Sequence, residues 1–160
     1  MIVRLSFRNR QRIRTLDLAQ LRRVVRHLLT AEFQTRQAEL GFHLVAAPEM
    51  ARVNQTFLQH AGSTDVITFN HTDSPSADSL HGEVFICLDD AVAQAKQFRT
   101  TWQSELVRYV IHALLHLRGY DDRNPAARRK MKREENRLLR QIVRRFPLRR
   151  LARSPARLRP

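Results

Sequence analysis

Val110-Ile111-His112-Ala113-Leu114-Leu115-His116-Leu117-Arg118-Gly119-Tyr120-Asp121-Asp122 carries the clearest signal in the chain. Two histidines four apart in a run of helix-favouring residues lie one above the other on a single helix face. In that position two imidazoles can bind one metal ion, as they do in helical zinc sites. Gly119 is placed to end the helix and turn the chain back. The paired acids that follow then arrive within reach of a third ligand position, and Asp122 is preferred over Asp121. A histidine pair at this spacing is by itself more often an accident of a helix surface. Here Trp102, Leu106, Tyr109, Val110, Ala113 and Leu117 follow helical spacing and put both histidines at the edge of the buried stripe. A half-buried imidazole is better used as a ligand than left unpaired.

The 160 residues suit one domain with a core of its own. No run of about 18 apolar residues occurs, so no membrane span is expected. The stretch Met1-Ile-Val-Arg4-Leu-Ser-Phe-Arg8 lacks the apolar centre of a secretory signal. The single cysteine, Cys87, excludes an internal disulfide, and both features fit a cytoplasmic protein. Charge is unevenly placed. Residues 1–100 hold 12 basic and 10 acidic side chains, residues 101–160 hold 17 and 5, and the net charge is +14. A basic excess at one end points to a polyanion, and the dominance of Arg over Lys favours nucleic acid over a membrane surface.

Around the histidine helix the other elements follow from period and punctuation. Residues 2–7 alternate as a first strand, and Asp17 with Gln20 can cap a helix carrying Leu18, Leu21, Val25, Leu28, Leu29 and Phe33. Residues 42–46 form a second strand in which His43 is a facing side chain. Pro48 opens a helix with Met50, Val53, Asn54, Phe57 and Leu58 on its stripe. Residues 64–69 and 83–88 are β-branched and aromatic strands, with an exposed loop over 70–80 between them. Asp89 or Asp90 can cap a helix through Phe98, Thr100 or Thr101 the histidine helix, and Asn124-Pro125 the last one. In that last helix Ala127, Met131, Leu138, Ile142 and Val143 face inward. The expected fold is α+β, a small four-stranded mixed sheet with packed helices. One domain is expected over 1–146, and a basic disordered arm over 147–160.

These residues resemble the bacterial YbeY family of rRNA-maturation endoribonucleases, whose zincin-like metal site sits on a helix. The family pattern His-x3-His-x5-His, in the run H-G-x-x-H-L-x-G-Y-D-H, matches His112 to Asp122. Asn54, then Thr64-Asp65-Val66-Ile67-Thr68-Phe69, resembles its N-x(9)-T-D-V-[LI]-[ST]-F segment, and Gly82-Glu83-Val84-Phe85-Ile86 its G-D-[IV]-x-I strand. The resemblance spans roughly residues 2–145. It implies a metal-dependent, single-strand-specific endoribonuclease in 16S rRNA 3′-end processing and ribosome quality control, with rRNA and the small ribosomal subunit as partners. The departures are specific. Asp122 stands for the third histidine, Ala113 for the glycine after the first histidine, and Glu83 for an aspartate. Leu58 stands where the family has an arginine thought important for activity, and His60, two residues on, is the candidate catalytic replacement.

Two imidazoles and a carboxylate make a known catalytic zinc set. Relative to three histidines, the anionic ligand lowers the site charge and makes manganese or iron more competitive, with zinc still favoured as the one divalent ion. A zincin protease has glutamate directly after its first histidine; Ala113 removes that base, which favours phosphodiester over peptide cleavage. Arg123, Arg128, Arg129 and Lys130 are the candidates to line the approach for RNA phosphates. The alternatives are a non-catalytic ribosome-assembly factor that binds rRNA, and a metallohydrolase of another substrate.

Overall fold

The structure, a computed structural model, describes residues 1–60, 62, 64–72, 76 and 78–153. Val3, Leu5 and Phe7 alternate with Arg4, Ser6 and Arg8, which gives strand β1 (Ile2–Asn9) one apolar and one charged face. Helix α1 (Leu18–His27) continues into a π-helical turn, Leu28–Glu32. Then follow β2 (Gln37–Val45), α2 (Ala47–Leu58), β3 (Val66–Asn70), β4 (Ser79–Cys87), α3 (Leu88–Phe98), α4 (Trp102–Leu117) and α5 (Pro125–Arg145). The sheet order is β1-β2-β4-β3, with β2 parallel to β1 and to β4, and β3 antiparallel to β4. This is the expected α+β fold on a four-stranded mixed sheet.

The main core lies under one sheet face. Leu40, Phe42 and Leu44 of β2 and Leu80, Val84 and Ile86 of β4 meet Leu21, Val24 and Val25 of α1 and Leu106, Val110, Ala113 and Leu114 of α4. Each fully buried Leu, Ile or Phe there contributes about 1.5–3 kcal/mol. Helix α2 covers part of the other face through Met50 and Val53, against Val45, Ile67 and Cys87. Gly82 lets α4 and β3 close on β4. A Cβ at that position would stand 2.3 Å from the Phe69 carbonyl oxygen and 3.0 Å from Leu117 Cδ2. Gly82→Ala is therefore expected to cost about 1–3 kcal/mol through overpacking, read as a lower urea midpoint. An unchanged midpoint would show that this approach is slack.

Three helix caps form as expected: Asp17 accepts from Gln20 N–H, Thr101 from Ser104 N–H and Asn124 from Ala127 N–H. The fourth does not. Cys87 occupies the cap position of α3 without a side-chain bond, and Asp89 accepts instead from the N–H of Ala47, the first residue of α2. A carboxylate at the start of one helix thus satisfies an orphan donor of another. Phe57 and Leu58 are off the buried stripe at 63% and 43% exposure, and Val143 is 53% exposed. Leu139 and Glu135 take inward positions on α5. His43 is buried rather than merely facing, stacked on Phe85 and hydrogen-bonded to Glu83. The expected disordered arm also starts differently. Leu148–Ala152 is a 3-10 turn, Leu151 is fully buried, and its carbonyl accepts from Asp17 N–H at 2.8 Å. The packed body therefore extends past residue 146, and residues 154–160 of the arm lie outside the described residues. No helix among the described residues is long and apolar enough to cross a membrane.

Candidate metal centre

One face of α4 presents Glu105, Arg108, Tyr109, His112 and His116 in succession, at the three- and four-residue steps of a helix stripe. The Nε2 atoms of His112 and His116 face each other at 3.1 Å. Gly119 ends the helix with φ 100°, in the left-handed region that favours glycine. The turn brings the Tyr120 carbonyl back to His116 Nδ1 at 3.1 Å and places Asp122 Oδ2 3.8 Å from His116 Nε2. One ligand atom from each of His112, His116 and Asp122 lies within 4.8 Å of the others, so the three predicted ligands converge.

The partners of the far ring nitrogens fix what the near ones can do. His112 Nδ1 is 2.9 Å from Glu135 Oε2, and His116 Nδ1 faces a carbonyl oxygen. Both acceptors require N–H at Nδ1, which leaves both neutral rings with bare lone pairs at Nε2. Two lone pairs aimed at one another across 3.1 Å need a cation between them. With Zn–N bonds of about 2.0–2.1 Å in a tetrahedron, two ligand nitrogens stand about 3.3 Å apart, so the residues fit a zinc-sized ion. Burial, then the neighbouring His112, lower the His116 pKa against the opposing pull of Asp122 and the Tyr120 carbonyl.

Glu135 was not singled out from the sequence. It is 4% exposed and also accepts from Arg108 Nη1 at 2.8 Å, with Lys132 Nζ 3.5 Å away. Burial works to raise its pKa, but the hydrogen bonds from His112 and Arg108 outweigh it, and the carboxyl lies below its ordinary value. A readable sign existed: Glu135 falls on the helical series Met131, Glu135, Leu138, Ile142, an acid on an otherwise apolar stripe.

Two cavities meet at the imidazoles. One of about 650 Å³ lies between α3, α4 and α5; the other, of about 390 Å³, runs along β3. His112, Asp122 and Asp65 line both. Arg128 and Arg129 line the larger cavity, and Arg128 also donates to the Asp122 carbonyl. Lys130 instead lies over the Tyr120 ring, 5.4 Å from its centroid. Arg123 is exposed beside Asp121, which pairs with it rather than joining the ligands. His60 is exposed past the end of α2 and lines neither cavity. Leu58 lines the β3 cavity, so the position of the family's arginine is apolar there. Glu83 belongs to the opposite sheet face, between His43 and His71.

The family model for Endoribonuclease YbeY matches residues 6–143. The Endoribonuclease YbeY of Salinibacter ruber is 37% identical, the match covering 81% of this chain and 86% of that one. That of Chlorobium luteolum is also 37% identical, over 82% and 93%. The solution structure of TM1509 from Thermotoga maritima shares the fold, with a TM-score of 0.66 at 21% identity over 98% of this chain and 99% of that one. The fold, the converging ligands and these matches agree: the chain belongs to the YbeY endoribonuclease family.

Proposed function

We propose that the chain is a metal-dependent endoribonuclease that hydrolyses single-stranded RNA, with 16S rRNA 3′-end maturation and ribosome quality control as its setting. The observation that carries this reading is the pair of Nε2 lone pairs held face to face by Glu135 and the Tyr120 carbonyl. His112, His116 and Asp122 would hold one divalent ion, zinc before manganese or iron. When bound, the ion supplies a Lewis acid for phosphodiester hydrolysis.

The chain's own residues set the rest. Glu135 keeps His112 in the tautomer that ligates, as carboxylates behind metal-bound histidines do. Arg128, Arg129 and Lys132 line the larger cavity and can hold phosphates on either side of the cleaved bond. Ala113 is fully buried, so the position directly after His112 offers no general base for peptide hydrolysis. The wider basic surface gives sequence-independent, salt-sensitive affinity for RNA.

Elemental analysis and cleavage together test this. Purified protein is expected to carry about one ion per chain, consistent with a single ligand set. Asp122→Ala is expected to carry clearly less. Single-stranded RNA should be cut by the loaded protein and spared after chelation. Equal cleavage before and after stripping would remove the metal mechanism.

A further inference from the structure

The larger cavity is built for more than a path of phosphates. Past His112 along α4 it is lined by Tyr109 and Glu105, with Phe98 of α3, Arg129 and Lys132 also on its wall. Glu105 is 6% exposed, and its partner is the Thr100 hydroxyl at 2.8 Å; among the described residues no cation pairs with it. Tyr109 is 5% exposed, and its buried hydroxyl has no hydrogen-bond partner among the described residues. A buried carboxylate without a cation and a buried phenol without an acceptor are each costly unless something outside the chain completes them. Phe98, by contrast, is a large apolar ring left 60% exposed on the wall of this cavity.

We infer that this cavity seats the base of one nucleotide beside the phosphate at the metal centre, and that guanine is the base it selects. The inference rests on the reading of the chain as an RNA-cleaving protein. Glu105 and Tyr109 are four apart on one helix, so their side chains stand next to each other. Guanine offers two adjacent donors, N1–H and the 2-amino group, beside one acceptor, O6. A carboxylate accepts two parallel N–H bonds, and a phenol next to it donates to O6. Cytosine and adenine present one amino donor beside a bare ring nitrogen, whose lone pair would face the carboxylate. Uracil flanks its one N–H with two carbonyls. Burial, then the charges of Asp65, Glu105 and Asp90, push the Tyr109 phenol up, so it remains a donor. Phe98 supplies a stacking face that accepts any base. The cavity volume falls within the roughly 300–1,000 Å³ of sites that enclose small ligands.

The test is equilibrium dialysis of the full-length protein, as purified, against the four nucleoside 5′-monophosphates. GMP is expected to bind about tenfold or more tightly than UMP, the scale of one well-made base contact. Phe98→Ala should weaken all four by about tenfold, as one lost stacking contact does. Phe98 is exposed, so this variant should fold as the parent does. Glu105→Gln, which keeps the shape but offers a donor, should erase the preference for GMP while leaving UMP binding unchanged. Equal binding of all four, or none, by protein that still cuts RNA overturns the inference and leaves the endonuclease reading standing. A guanine preference in protein that cuts no RNA supports the pocket and removes the endonuclease reading.

Discussion

His116→Ala protein is expected to leave purification without stoichiometric metal and to spare single-stranded RNA that the parent cuts. The change removes one of two imidazoles and leaves His112 and Asp122 too few to hold an ion in place. The loss of cleavage should exceed the roughly 10–100-fold typical of residues that merely support a ligand. His116 is half-buried at the helix end, so the fold should survive with an unchanged circular-dichroism spectrum. The pH dependence has a definite sign. The folded pKa of His116 is lowered, so the neutral, ligating ring persists below the ordinary imidazole value of about 6.5. Metal should be released only as pH falls through that lowered value. Cleavage by the variant equal to that of the parent would end the metal mechanism outright.

Glu135→Ala is expected to cost both stability and metal. The carboxylate is buried and joins His112 to Arg108, and deleting one member of a buried ionic set costs roughly 3–5 kcal/mol. The loss should lie near the lower end, because Arg108 keeps Asn136 as an acceptor at 2.8 Å. Glu135→Gln separates the two effects. Its amide oxygen can still accept from His112 Nδ1, so most of the stability should remain. The missing negative charge should weaken metal affinity by about 10–100-fold. The glutamate's pKa is lowered in the fold, so its stabilisation is complete above the ordinary glutamate range and lost as pH falls through the folded value. Chemical unfolding across acid pH should therefore show a shallower loss in Glu135→Gln than in the parent. Parallel curves would mean that this carboxylate does not titrate with unfolding.

The ligands were readable because local geometry alone brings them together. Histidines four apart share a helix face whatever the tertiary fold, and a glycine three residues on returns the chain over so short a distance that Asp122 has little freedom to miss. What lay beyond one helix and its turn was harder to read. Glu134 and Glu135 are adjacent acids of the same type, and only the packing of α5 on α4 turns one inward to His112 and leaves the other with Arg137. Asp89 looked like a cap for its own helix, yet α2 brought a nearer donor from forty-two residues away. Phe57 and Phe98 carry the apolar character of core residues, but their helices end at the rim of the cavities, where no element covers them. Leu151 sits in a turn too short to show any period, so its burial against α1 left no mark in the pattern.

The docked turn after α5 bears on how long a productive RNA must be. Arg149 and Arg150 stand on that turn, at the far end of a 21-residue helix whose first turns carry Arg128 and Arg129 beside the ligands. At 1.5 Å per residue the two basic clusters are separated by about 30 Å. A short oligonucleotide can satisfy one cluster or the other, never both at once. Affinity should then rise in a step once a strand reaches across the helix, in the manner of two tethered grips on one rope.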